Sequence, residues 1–412
     1  MKNMELRKDR VLPIMGKVQH YAWGGFYYIP KLLNIPVKKG ETYAEFWLGT
    51  HDRGSAEFKN GSENPVSLKA YIEAFPEQTL GEKVAKTFGH LPFLLKVLDV
   101  REMLSIQVHP TKQDAQIAFD LENERGIDLA SPERNFKDNN HKPELMLALS
   151  EFWLLHGFKV PKTLQKILRE VPELHFLVPI FGGDNYKKLY QHVMELPQVQ
   201  VDRHLKTLVE RLTAHYQGGK LNKDKEDFWA ARAAMTYSQD GHIDRGIFSV
   251  YFFNLLHLLP GQAVFQDAGL PHAYLEGQNV EIMSNSDNVL RGGLTPKHVD
   301  VPELMKHVKF EATVPNIITG KPAESERLIY STTAPDFELC QLQIAKGQSV
   351  SLLSHSIEIF LVFSGSAEVS EKKGAGLKRN KGEAWVSFDG ASSEVLALED
   401  TIIYQAVIPG MN

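Results

Sequence analysis

The chain has 412 residues, of which 43% are hydrophobic and 24% charged, and its formal net charge is -5. That length leaves room for two or three domains with cores of their own, and the slightly acidic balance excludes a global attraction to nucleic acid or to acidic membranes. Cys340 is the only cysteine, which excludes intrachain disulfides and cysteine-built metal sites.

The opening MKNMELRKDRVLPIMGK is charged throughout and has no apolar core, so no signal peptide is expected. The first 110 residues read mainly as β structure with turns. Within them LPFLLKVLDV (91–100) is a short, nearly continuous apolar run that suits a strand buried on both faces. A polar helix is expected over 112–125. The pattern then changes: Leu164, Ile167, Leu168 and Val171 recur at helical spacing, as do Tyr186, Leu189, Tyr190 and Val193, and then Leu205, Leu208, Val209 and Leu212. These stripes predict three amphipathic helices, with a fourth over 224–237, punctuated by Pro161, Pro172, Pro179 and Pro197.

Strands are expected again from about 247. The most hydrophobic stretch, 247–259, is too short for the roughly 20 residues that span a bilayer and carries Asn254 and His257. No membrane contact is expected, and a cytoplasmic protein is the default. PGQAVFQDAGLPHAY (260–274) has the look of a barrel hairpin, and the polar PAESERLIYSTTAPDF (322–337) marks a boundary. Beyond it SIEIFLVFSGSAEVS (356–370) and NKGEAWVSF (380–388) read as short antiparallel strands. The basic run Lys372, Lys373, Lys378, Arg379 and Lys381, broken by glycines, reads as a solvated hairpin tip. An internal echo links GQAVF (261–265) to GEAWV (382–386); eleven residues after each glycine stand His272 and Ser393. Two copies of one barrel, of which only the first kept a metal-binding histidine, would produce this echo.

In SIQVHP (105–110) Gln107 and His109 are separated by one residue, so on a strand both project to the same side. Glu144, in NNHKPE (139–144), offers an anionic oxygen, and His272, in GLPHAY (269–274), a second imidazole from beyond the helical stretch. Two imidazoles, a carboxylate and an amide oxygen form an N/O set suited to Zn, Mn, Co or Fe(II), although glutamine is a less usual zinc ligand.

Five motifs carry a resemblance: YAWGG (21–25), AEFWLGTH (44–51), LPFLLKVLDVREMLSIQVHP (91–110), NHKPELMLAL (140–149) with HGF (156–158), and HAYLEGQNVEIMSNSDNVLRGGLTPKHVDV (272–301). On these, over residues 16–310, the chain resembles the type I phosphomannose isomerases, zinc enzymes of the cupin superfamily. The resemblance implies Gln107, His109, Glu144 and His272 as ligands of one zinc ion per chain, other divalent ions being admissible, and Arg291 as an essential active-site residue. It implies interconversion of mannose 6-phosphate and fructose 6-phosphate, which moves a proton between C2 and C1 through a cis-enediol. That chemistry calls for a Lewis acid, a proton shuttle and cations for the phosphate. Arg291, Lys297 and Lys142 are the candidate cations; His141, Lys142, Glu281 and Asp287 are the candidate shuttles; Ser105 and Tyr274 are candidate hydroxyl partners. Turn capping fits Asp287 and Asn288 as well as catalysis does, and Trp23 fits a core position as well as a pocket wall. The chain departs from the family's pattern at GLP before His272 and at Gly261-Gln262, where many members carry Gly-Glu, and its last 85 or so residues match poorly.

The expected fold is therefore mainly β: cupin (jelly-roll) barrels with an inserted α-helical domain. Residues 1–158 plus 247–321 would form the catalytic barrel, 159–246 the helical insert and 322–412 a second, degenerate barrel. The expected partner is a small sugar phosphate, with no nucleic acid and no membrane; the sequence leaves the oligomeric state open. A non-haem Fe(II) oxygenase would also use two histidines and a carboxylate, but Gln107 and the Arg/Lys group favour a phosphorylated sugar. A non-enzymatic sugar binder would have lost ligands that this chain retains.

Overall fold

The computed structural model describes residues 5–59, 65–238, 240–323, 326–371 and 376–411. Its organising element is the 13-residue strand His272–Ser284. Along its C-terminal half this strand pairs antiparallel with Phe93–Val100 on one side and with Glu144–Ala148 on the other. Along its N-terminal half it pairs with Phe152–Phe158, and His272 stands opposite Gln107. One strand thus runs through both walls of a barrel and brings its first residue to the barrel mouth.

Phe93–Val100 lies between Glu45–Gly49 and His272–Ser284, and all eight of its residues are buried. Burial on both faces explains the continuous apolar run, since neither face meets water. Lys96, one of two charged residues in the run with Asp99, stands opposite Glu281 on one neighbour and Trp47 on the other.

Helices cover the expected stripes: Pro161–Glu170, Tyr186–Glu195, Gln198–Gln217 and Glu226–Tyr237. Leu164, Leu189, Leu205 and Leu212 share one core with Trp153, Leu155, Phe158 and Ala273, so the helices pack on one wall of the barrel. Two segments differ from expectation. Gly246–Phe252 is a helix, and the strand begins only at Phe253–Leu258. All seven helical residues are buried, so the run is apolar on every side and carries no periodicity that separates helix from strand. Among the first 110 residues, Tyr28–Leu33, Leu68–Ala74, Pro76–Leu80 and Glu82–Thr87 are short helices; Ser67 caps the second by accepting from the Ala70 N–H at 3.4 Å.

Towards the C-terminus a seven-stranded and a four-stranded sheet enclose a core that includes Val350, Leu352, Phe360, Val362, Trp385 and Val395. The opposite face of the larger sheet (Ile359, Leu361, Ala384, Val386) shares a core with Leu95, Val97, Leu145, Leu147 and Ile282 of the first barrel. The first strand of the chain, Val11–Ile14, pairs with Ala384–Ser387 and so joins this C-terminal sheet although it precedes the first barrel in sequence. Arg327–Tyr330, inside the polar boundary stretch, is also a strand of that sheet. Of the basic run, Lys378 and Arg379 lie on the strand Leu377–Asn380, whereas Lys372 and Lys373 are outside the described residues. Among the described residues no helix is long and apolar enough to cross a membrane.

Candidate active site

Three strands deliver the central cluster. Glu144 opens the strand Glu144–Ala148, His272 opens His272–Ser284, and Gln107 opens the short strand Gln107–Val108, with His109 just beyond it. His272 and Arg291 stand opposite Gln107 on its two sides. His109 Nε2 lies 3.4 Å from Glu144 Oε1, and His272 Nε2 lies 3.5 Å from Glu144 Oε2. Each histidine is oriented from behind: His109 Nδ1 is 2.9 Å from the Asn288 carbonyl and His272 Nδ1 is 2.9 Å from the Leu270 carbonyl. A carbonyl only accepts, so both rings carry their proton on Nδ1 and turn the Nε2 lone pair inward.

The two Nε2 atoms are buried without a hydrogen-bond partner, and one ligand atom from each of His109, Glu144 and His272 lies within 4.8 Å of the others. Unpartnered buried acceptors are costly. Two unpartnered lone pairs converging with a carboxylate fit a cation, and the nitrogen–oxygen donor set fits zinc. Burial pushes His109 down to about 4, so its neutral form prevails at pH 7. Burial opposes ionisation of Glu144, but the Lys142 ammonium outweighs it and holds the carboxyl well below its usual range. The Lys142 ammonium is 2.7 Å from Glu144 Oε1.

The cluster lies under a cavity of about 980 Å³, whose wall includes Gln107 and Lys142. Ser105, Trp23, Asp287, Arg291 and Lys297 also line it, which brings most of the sequence-derived candidates to one space. Among the described residues neither the Arg291 guanidinium nor the Lys297 ammonium has a hydrogen-bonded or ion-paired partner. Burial lowers the pKa of both, and Arg291 and Arg53 lower that of Lys297 further. A half-buried guanidinium and an exposed ammonium that repel each other in a common wall suit a dianion.

Three candidates stand elsewhere. His141 does not line the cavity; its Nε2 is 2.8 Å from Asp336 Oδ2, on the segment leading into the C-terminal strands. Tyr274 and Glu281 are buried behind the wall, where the tyrosine hydroxyl donates to Glu281 Oε2 at 2.8 Å. Asp287, in contrast, is on the cavity but tied up. Burial works against its charge, yet the His51 ring at 3.3 Å and the Arg53 guanidinium hold its carboxyl well below the ordinary range.

Sequence reasoning missed Lys96, Glu45, His51, Arg53 and Lys137, all of which line the cavity. Lys96 is the most consequential. Its ammonium sits 3.2 Å from Glu281 Oε1, 3.5 Å from Glu45 Oε2 and 5.4 Å from the centre of the Trp47 ring. Burial opposes its charge, but Glu45 and Glu281 outweigh that and raise its pKa, so it stays a cation. Burial and Glu144 push Glu281 up, against the pull of Lys96 and Lys142. The signal was present in LPFLLKVLDV: one lysine inside a fully buried strand needs carboxylate neighbours.

A family model described as the catalytic domain of type I phosphomannose isomerase matches residues 11–161. The mannose-6-phosphate isomerase of Salmonella typhimurium is 37% identical over 357 residues, covering 86% of this chain and 89% of that protein. The human mannose-6-phosphate isomerase is 33% identical over 363 residues, covering 81% of this chain and 82% of its own. A crystal structure of the Salmonella typhimurium enzyme bound to its substrate fructose 6-phosphate and to zinc superposes with a TM-score of 0.86 at 31% identity. It covers 97% of this chain and 100% of that one, so the C-terminal strands that match poorly in sequence belong to the shared fold.

Proposed function

The chain belongs to the type I phosphomannose isomerases, and from that premise we propose which of its residues perform the reaction. It is a metal-dependent aldose–ketose isomerase that interconverts mannose 6-phosphate and fructose 6-phosphate through a cis-enediol, with zinc as the cofactor. One observation carries the reading to this chain's own atoms. A buried cradle of acceptors opens beneath the same cavity that holds the unpaired Arg291 and Lys297.

His109, Glu144 and His272 would hold the ion, with Gln107 as the fourth ligand. When bound, it would supply a Lewis acid that stabilises the negative charge of the enediol. Arg291 and Lys297 take the phosphate, which sets the distance from the anionic end of the sugar to the reacting carbons. Lys96, fixed between Glu45 and Glu281, adds a positive charge to the cavity wall.

For the proton we choose Lys142 among the four candidates. Its Nζ alone combines a place on the cavity wall with an ion pair to a proposed metal ligand. His141 is engaged by Asp336, Glu281 is covered by Tyr274 and Lys96, and Asp287 is held ionised by His51 and Arg53, which makes it a weak base. Ser105 and Trp23 contribute a hydroxyl and an apolar wall at the sugar.

We further propose the division into a catalytic barrel (1–158 plus 247–321), a helical insert (159–246) and a second barrel (322–412), with the strand Val11–Ile14 lent to the second barrel. A hexose-phosphate substrate and a lone free cysteine, Cys340, support a cytoplasmic location. A coupled assay on mannose 6-phosphate, glucose 6-phosphate and unphosphorylated mannose tests the assignment of the cations. Turnover is expected for mannose 6-phosphate, with kcat/KM for free mannose lower by roughly a thousandfold or more. Comparable kcat/KM for mannose and its phosphate would refute the phosphate-binding role.

A further inference from the structure

Arg291 and Lys297 stand at the two ends of a loop, residues 292–297, that has no regular secondary structure. A loop keeps two repelling cations in fixed places only if its backbone is held from outside. One edge is held by the barrel: the Gly292 N–H donates to the Ile106 carbonyl at 2.9 Å, and the Ile106 N–H donates to the Gly293 carbonyl at 3.0 Å. The other edge is held by a carboxylate just ahead of the helix Gly246–Phe252. Asp244 Oδ1 accepts from the Leu294 N–H at 2.8 Å and from the Gly246 N–H at 2.7 Å, and Oδ2 accepts from the Thr295 N–H at 3.2 Å.

The backbone geometry shows how closely the two segments are matched. Leu294 adopts φ +54°, a left-handed conformation unusual for a side-chain-bearing residue, next to Gly293 at φ +116°. A Cβ on Gly293 would fall 2.6 Å from the Gly246 Cα, and one on Gly246 would fall 2.7 Å from the Leu294 nitrogen. The loop and the start of the helix therefore meet backbone to backbone, and Asp244 fills the acceptor role that this contact leaves open. A half-buried carboxylate receiving three N–H groups is costly to replace, because each donor would lose its partner.

We propose that Asp244 is a positioning residue for substrate binding: through the Leu294 and Thr295 N–H groups it fixes the loop that carries Arg291 and Lys297 against the substrate phosphate. The helical insert is thereby part of the binding machinery, and its connection to the barrel helps select a phosphorylated sugar. The inference rests on the assignment of Arg291 and Lys297 to the phosphate.

The test compares zinc-loaded wild type, Asp244→Asn, Asp244→Ala, Lys297→Ala and the Asp244→Asn/Lys297→Ala double variant, with metal content measured for each. Asp244→Asn is expected to raise both the KM for mannose 6-phosphate and the inhibition constant of inorganic phosphate roughly tenfold, with kcat within about threefold. Asp244→Ala should go further in the same direction. Should the alanine variant fold poorly, the asparagine variant carries the test alone, since it keeps an oxygen for Leu294 and Gly246. The double variant should lose less than the product of the two single effects, because both act through one loop. Unchanged KM and phosphate inhibition in the Asp244 variants would overturn the proposal, as would a fall in kcat and zinc content at constant KM. If Lys297→Ala leaves phosphate inhibition untouched, the phosphate assignment falls and this inference with it. If Lys297→Ala weakens phosphate while Asp244→Asn does not, the assignment stands and only the positioning role is lost.

Discussion

The two barrels of this chain enclose opposite interiors. Both contain a strand that follows a glycine at positive φ, Gly261 at +86° in one and Gly382 at +83° in the other, and the five-residue sequences there are alike. The first barrel then gathers Lys96, Glu45, Glu281, Glu144, Lys142, His109 and His272 in its interior and around its mouth. The second fills its interior with apolar side chains, among which the Phe360 and Trp385 rings stack with centroids 4.6 Å apart and planes 3° from parallel. Eleven residues after Gly261 stands His272, and eleven after Gly382 stands Ser393. Buried charge costs several kcal/mol per ion before partners offset it, whereas packed aromatics stabilise directly. The difference locates function in side chains that a purely structural barrel discards.

If that contrast is right, damage to the second barrel should cost stability and leave the chemistry alone. Trp385→Ala is expected to destabilise the chain by about 3–5 kcal/mol, read from chemical unfolding, while zinc content and kcat at low temperature stay within about twofold. Loss of zinc or of turnover in a folded Trp385→Ala protein would erase the distinction between the two interiors.

A smaller effect comes from Glu358, a buried acid inside the larger sheet of the second barrel. Glu358 Oε2 accepts from Gln405 at 2.8 Å, and burial pushes the pKa of this carboxyl up to about 7. The folded chain therefore holds this proton to higher pH than the unfolded chain does. Stability falls as pH rises from the ordinary glutamate range to about 7, and levels off above that. Glu358→Gln should be more stable than wild type at pH 8, by at most roughly 3 kcal/mol, and indistinguishable from it at pH 4. Thermal melts at the two pH values check this; an equal difference at both would rule out titration as the cause.

Much of the site could be read from the residues because its parts lie in contiguous strings. SIQVHP and NHKPE bring ligand and cation types within a few positions, and the stripes from Leu164 to Leu212 announce helices through their spacing. What stayed hidden depends on cross-strand neighbours and long reach. Lys96 gains its meaning from the register that sets it opposite Glu281, 185 positions away. His141 is diverted by Asp336, and Asp244 reaches Leu294 only after the chain has folded back on itself. The helix Gly246–Phe252 was illegible for another reason, since a segment buried on every side leaves no polar face to set the period.

Isomerisation by this chain depends on a metal ion, for which we propose the acceptor cradle of His109, Glu144 and His272. Zinc per chain and mannose 6-phosphate turnover are to be determined together, on untreated protein, on chelator-stripped protein before and after zinc is returned, and on His272→Ala. The untreated protein should carry one zinc per chain, and turnover should be lost and regained with the ion. His272→Ala should bind little zinc and turn over at least roughly a thousandfold more slowly. Full activity in the stripped protein, or a His272→Ala variant that keeps its zinc and its rate, would contradict this.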